Sequence, residues 1–252
     1  MLWNASALIG YPIKGTDGPL GTLAGLMYDE TDWTIRWLFV DTGTWLSGRR
    51  VALPISAAGQ PDPKAPHLPV NLTMKQVEDS PDVDVSHPFS QEAETLVSLH
   101  YGLPSVRDRV EWLRHVGRTP ELIAPVTLRA LPTEAPAESE SRDNHVHGIS
   151  EITGNSIEAT DGDIGHAEDF LIDTTLWQVR YLVVDTSNWW SGQKLLVSPL
   201  SIDWIDWARS IIHLDVTRQK VKDSPPYVVT DTVDGAYEEL FETYYGIRWL
   251  RR

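Results

Sequence analysis

His145-Val-His147 places two imidazoles within two residues, a spacing that can hold a transition metal if His166 or His213 supplies a third ligand. The pair stands at the end of a polar segment and reads instead as solvent-exposed histidine. Asp41 and Asp185 could serve as ligand or proton-relay carboxylates. Their Thr, Gly and Asn neighbours point rather to Asx-type turns that cap loop amides. Arg36 and Arg180 could form an anion site, but within a strand they read as ion-paired to Asp or Glu. Asp161-Gly-Asp-Ile-Gly165 slightly resembles a calcium loop, yet lacks the further ligands and the closing Glu, so it reads as a hairpin. Acid pairs such as Glu238-Glu239 read as helix-surface charge. No nucleophile, base and oxyanion site come together, and the phosphate-loop, dinucleotide and His-Glu-x-x-His motifs are absent from the sequence. The expectation is a protein without enzymatic activity, metal or cofactor.

The composition narrows the partners. The 252 residues carry 21 Lys+Arg against 36 Asp+Glu, a net charge of −15. Nucleic-acid binders cluster Lys and Arg against phosphate, and anionic membranes attract basic patches, so neither partner is expected. Zero Cys excludes disulfides and thiolate chemistry and suits a cytoplasmic bacterial protein. No apolar run reaches the ~18–20 residues of a membrane span. Eleven Trp stand against only four Phe.

The elements that must hold these residues are written twice. Asp17-Gly18 recurs as Asp161-Gly162, an offset of 161 − 17 = 144 positions. The same offset carries Gly21 to Gly165, Trp33 to Trp177, Arg36 to Arg180, Asp41 to Asp185, Trp45 to Trp189 and Gly48 to Gly192. It continues from Asp79-Ser80-Pro81 to Asp223-Ser224-Pro225 and from Tyr101-Gly102 to Tyr245-Gly246. Only the middle slips, where Pro54 aligns better with Pro199. Three parts follow: a first unit over 1–103, a connecting part over 104–148 and a second unit over 149–252. The connecting part has a short helix, Val106–Val116, and a flexible acidic linker from Pro132 to Asn144.

Each unit reads as short strands between turn signals. Ile9–Lys14 and Gly21–Tyr28 flank an Asp-Gly hairpin. Trp33–Val40 is apolar on both faces, as in a central strand. Arg49–Pro54 and His67–Leu72 follow. Thr73–Ser80 reads as a helix opened by a Thr73/Gln76 capping box, a pairing that Thr217 and Lys220 do not keep. Helical tails are expected over Glu92–His100 and Ala236–Tyr245. The fold class is mainly β: two small antiparallel barrels in tandem, each with a helical tail.

The combined pattern resembles the PRC-barrel family. It is carried by Gly10, Ile13, Asp17-Gly18, Gly21, Trp33, Arg36–Thr42 and Trp45–Gly48. In the second copy it is carried by Gly154, Ile157, Asp161-Gly162, Gly165, Trp177, Arg180–Thr186 and Trp189–Gly192. The family includes the cytoplasmic barrel of the photosynthetic reaction-centre H subunit, a barrel of a factor that matures the small ribosomal subunit, and stand-alone bacterial proteins. The resemblance to the stand-alone tandem type implies a binding or scaffold module. Resemblance to the H subunit implies, as the alternative, an accessory to photosynthetic electron or proton transfer. Ribosome maturation fits less well, given the charge and the missing N-terminal barrel of that factor. A protein partner is expected, with Trp190, Trp204, Trp207, Tyr244 and Tyr245 as contact candidates. Trp45 and Trp189 read as lids on the barrel ends. The repeats could pair within the chain or build a homodimer. The second unit is the more acidic, −8 over residues 150–252 against −4 over 1–90.

Overall fold

A computed structural model describes residues 2–62, 64–65, 67–82, 90–103, 145–187, 194–225, 227 and 235–246. The segments expected as a helix at Val106–Val116 and a linker at 132–144, together with Trp189, Trp190 and Gly192, lie outside the described residues.

The chain is mainly β and builds two sheets. The first unit contributes β1 (Leu2–Asn4), β2 (Pro12–Lys14), β3 (Pro19–Asp29), β4 (Ile35–Asp41), β5 (Arg50–Pro54) and β6 (Leu68–Pro69). Its helices are α1 (Ala5–Leu8), α2 (Met74–Glu78) and α3 (Gln91–His100). The second unit repeats them as β7 (Val146–Gly148), α4 (Ile149–Ile152), β8 (Ser156–Ala159), β9 (Gly162–Asp173), β10 (Gln178–Asp185) and β11 (Lys194–Val197). It continues with β12 (Ile202–Asp206), and with β13 (Ile211–Leu214), α5 (Arg218–Lys222) and α6 (Gly235–Tyr245) as the counterparts of β6, α2 and α3.

The local signals act as the physics requires. Thr73 caps α2 through the Gln76 amide, and Gln76 returns a bond to the Thr73 amide at 2.9 Å. Thr217 keeps only its half of that arrangement, accepting from the Lys220 amide. Ile35–Asp41 is buried on both faces. One face joins the main core; the other lies under α3, where Trp37 and Phe39 meet Val97. The second unit does the same with α6, whose Phe241 lies over Tyr181 and Val183.

The ladders correct several expectations. The sheets are mixed rather than antiparallel, because β2 pairs with β6 and β8 with β13 in parallel. They run as open paths, β5-β4-β3-β2-β6 and β11-β10-β9-β8-β13-β12, and neither closes into a ring among the described residues. The middle does not slip. Leu38 faces Leu53 and Leu182 faces Val197, so Pro54 corresponds to Ser198, and Pro199 opens a 3-10 turn as Ile55 does. Identity between two prolines misled the alignment, whereas the backbone ladder keeps one offset throughout.

Residues 146–148, ahead of the second unit, form a strand. β7 pairs with β3 of the first unit, His147 opposite Tyr28. In return, β1 pairs with β9 of the second unit, Trp3 opposite Ile172. These are equivalent positions, so the exchange is reciprocal. At its centre Thr34 bridges Gln178, the Ile35 amide donates to the Trp177 carbonyl at 2.7 Å, and the Val179 amide donates to the Trp33 carbonyl at 2.8 Å. A residue bonded to its own counterpart marks a pseudo-two-fold axis, the geometry of a symmetric dimer within one chain. Inner-face residues of both units form one core cluster.

Candidate functional site

Most residues of the repeated motif are spent on structure. Asp17 accepts from the Met74 amide at 2.8 Å and Asp161 from the Arg218 amide at 2.6 Å, so each Asp-Gly hairpin holds the start of a helix. In that hairpin Gly162 has a φ of +136°, and a Cβ on Gly18 would meet the Met74 sulfur at 2.7 Å. Asp41 accepts from the Gly43 amide at 2.9 Å and Asp185 from the Ser187 amide at 2.8 Å. The Ser187 amide, outweighing burial, holds the Asp185 carboxyl below its usual range, helped by Lys194. Arg36 pairs with Asp29 at 3.0 Å and Asp32 at 2.9 Å, and Arg180 pairs with Asp173 at 3.4 Å. The half-buried Trp45 donates its indole N–H to the Leu20 carbonyl at 2.9 Å and packs on the core. Gly48 takes the left-handed conformation that ends the loop after β4.

Trp33 and Trp177 are buried and also left-handed, at φ 58° and 51°. Bulky residues rarely adopt this conformation. Both lie where the two units exchange backbone bonds, which fix the strained geometry.

The histidine pair is not displayed to solvent as expected. His145 presents its carbonyl to the Glu30 amide. His147 is only 8% exposed. Its ring stacks on Trp207 at 3.9 Å and 13°. Its Nε2 lies 3.4 Å from Glu30 and its Nδ1 3.6 Å from Glu151. Burial works to raise the Glu151 carboxyl, but His147 and the Gly148 amide outweigh it and leave the group below its usual range. The buried Tyr28 ring lies beside His147 and stacks on Trp33 at 4.8 Å. The His147–Glu30 approach thus links β7 to the first sheet, Glu151 holds β7 to the start of α4, and Trp207 ties the β12–β13 turn to His147. Among the described residues no group of three His, Asp or Glu side chains could hold a metal. His166 and His213 do not join the pair: His213 stacks on Trp204 and lies 3.6 Å from Glu158. Reading the sequence alone missed Glu30, Glu151 and Glu158, although the four-residue spacing of His147 and Glu151 across a strand-to-helix junction was a usable signal.

The contact candidates separate by burial. Tyr245, the last residue of α6, is buried against Phe241, and Tyr244 donates to the Lys220 carbonyl at 2.7 Å. Trp207 is half-buried on His147. Trp204 is 51% exposed. It lies on a hairpin, β12–β13, where the first unit has, among the described residues, an isolated bridge, Ala58 to Val70, and the two residues of β6.

Among the described residues, no helix is long and apolar enough to cross a membrane. Compared with known proteins, the chain matches no family model and no curated relative.

Proposed function

We propose that the chain is a non-enzymatic binding or scaffold protein built from two PRC-barrel-type modules. The motif shared by Asp17–Gly21, Arg36–Thr42 and their counterparts supports the family reading. The observation that carries the function is Trp204, a large aromatic side chain half open to solvent on a strand pair that the first unit reduces, among the described residues, to an isolated bridge. Indole is among the costliest groups to leave wet and the commonest anchor of protein interfaces. The ionisable groups of the motif support the same reading, because they are engaged in caps, turns and ion pairs rather than pointed at a common centre.

Affinity capture tests this. The wild-type chain is expected to retain a specific partner that the Trp204→Ala chain loses, with the far-ultraviolet circular dichroism unchanged. A partner retained equally by both chains would count against the reading.

A further inference from the structure

We propose that the outer face of the β12 edge docks an extended peptide segment bearing Arg or Lys, laid along β12 with a cationic side chain over Trp204. The inference deepens the binding-module reading and rests on it.

Three observations converge on that occupant. The first is a row of side chains across three strands. Trp204 on β12 lies directly opposite His213 on β13, and His213 lies directly opposite Glu158 on β8. The indole and imidazole rings are parallel, 4.0 Å apart at 13°, and His213 is 3.6 Å from the Glu158 carboxylate. The stack holds the indole in place before any ligand arrives, so docking gives up little side-chain freedom. One indole face rests on His213. Guanidinium and ammonium groups are the ligands that a tryptophan face and a neighbouring carboxylate attract together.

The second observation is the edge. β12 ends the hydrogen-bonded path of its sheet among the described residues. An unpaired strand edge accepts an added strand through main-chain bonds, while side chains on alternate positions supply selectivity. The adjoining part of the outer face, over β9, β10 and β11, is already covered by α6.

The third observation is charge. β12 itself carries Asp203 and Asp206, and Glu158 and Asp163 continue the acidic row on β8 and β9. Arg209 in the turn lies 3.8 Å from Asp206, and Arg218 lies beside Gly162 at the far end of the row. A second copy of this chain is a poor occupant: it would bring Asp against Asp, and the irregularity between Ile202 and Trp204 interrupts the register that self-pairing needs. The first unit is a built-in contrast. At the position of Glu158 paired with His213 it has Lys14 paired with Pro69, so its corresponding edge lacks both the carboxylate and the ring.

Titration of the full chain against a fluorescein-labelled nonapeptide alternating Arg and Val, followed by anisotropy, tests the proposal. The control peptide has Glu in place of every Arg. Binding is expected for the Arg peptide alone. It should weaken about tenfold or more in Trp204→Ala, and lose much of its salt dependence in the Glu158→Gln/Asp203→Asn double variant. Hydrogen exchange of the 202–206 amides should slow when the peptide is bound. Equal binding of both peptides, equal binding by Trp204→Ala, or unchanged exchange at β12 would overturn the proposal. So would a dimer in light scattering that Trp204→Ala abolishes, which would make a second copy the occupant. If neither peptide binds while affinity capture still depends on Trp204, the basic-segment inference falls and the binding-module reading stands. If capture does not depend on Trp204, the broader reading falls.

Discussion

The two units share a backbone and differ in what they hang on it. Beneath α3, Trp37 donates its indole N–H to the buried Glu94, and small residues, Ala93 and Val97, lie over it. Beneath α6, Tyr181 takes the place of Trp37, and Tyr237 and Phe241 replace the small residues. The large residue has moved from sheet to helix, so the layer keeps its filling while its chemistry changes. Even the tether is conserved in place and not in kind. His100 bonds the Gln76 carbonyl at 2.9 Å, and Tyr244 bonds the equivalent Lys220 carbonyl at 2.7 Å. The duplication preserved the backbone register, and side chains were free to diverge wherever volume could be balanced.

The largest effects should come from the positions where the units are most alike. A Cβ on Gly21 would lie 2.0 Å from the Asp41 carbonyl oxygen, and one on Gly165 would lie 2.0 Å from that of Asp185. Both glycines hold φ near +135°, at +137° and +133°. Gly21→Ala and Gly165→Ala should each destabilise by more than about 4 kcal/mol, as backbone must move in either case. Urea unfolding of the two variants should give matching losses. A large cost in one unit and a small one in the other would break the equivalence.

The next effect should separate the units. Phe241 is fully buried against Tyr181 in an edge-on contact of 4.8 Å, whereas Val97 is its smaller counterpart. Phe241→Ala should cost about 3–5 kcal/mol and Val97→Ala about 1–2 kcal/mol. Equal costs in denaturant unfolding would show that the two helices are held by something other than this layer.

Buried tyrosines and an ion-paired aspartate set opposite pH limits. Burial, the leading cause, raises the Tyr181, Tyr237 and Tyr245 hydroxyls well above their usual value. A phenol kept neutral in the fold contributes stability that is full below the unfolded pKa of ~10 and is lost as pH rises beyond it. Burial raises Tyr28 and Tyr101 of the first unit as well, so both units carry an alkaline limit, and Tyr181→Phe should flatten the second unit's share of it. In the first unit burial raises Asp29, but the Thr31 amide and Arg36 outweigh it and leave the carboxyl lowered. Its contribution is present above the unfolded pKa of ~3.9 and is lost as pH falls through the lower folded value. Asp29→Asn should flatten the acid limb. Circular dichroism against pH checks both, and coincident limbs in the variants would refute the assignment.

A smaller effect tests where the symmetry is broken on purpose. His147 stands at the position of Trp3, so one exchanged strand brings an imidazole and the other an indole. A double-mutant cycle on His147→Ala and Trp207→Ala should return a coupling of about 1 kcal/mol from the stacked rings. Additive costs would mean that the β12–β13 turn is not fastened through this stack.

How much of this was legible in the sequence follows from how each feature is encoded. The duplication, the Asp-Gly hairpins, the Thr73 and Thr217 caps and the two helical tails are local and could be read from residue types at fixed spacing. The reciprocal exchange could not. Leu2-Trp3-Asn4 and Val146-His147-Gly148 are three residues long and share no identity, so no pattern joined them. Their partners, Asp29 to Met27 and Asp173 to Leu171, lie far off in the chain or in the other unit. The open sheets follow from the same blindness. The far end of β3 pairs with a strand from the other unit, and a reading of one repeat in isolation closes that end on itself instead. The Trp204 surface was half legible: its Trp stood out, but its stacked His213 and the Glu158 beside it meet only through cross-strand pairing.

The smallest effect returns to what the units share. Asp17 and Asp161 each accept one bond from the first amide of a five-residue helix, 57 positions along the chain in both cases. Each carboxylate also faces the positive end of that helix. Asp17→Ala and Asp161→Ala should each cost about 1 kcal/mol, the ordinary worth of a cap. The first helix keeps a full Thr73/Gln76 capping box, while the second has only the Thr217 bond. Asp161→Ala should therefore be the costlier of the two by a few tenths of a kcal/mol, since fewer other groups hold that helix start. The reverse order in matched thermal unfolding curves would mean that the box adds nothing to the first unit, and that the two helix starts are equivalent after all.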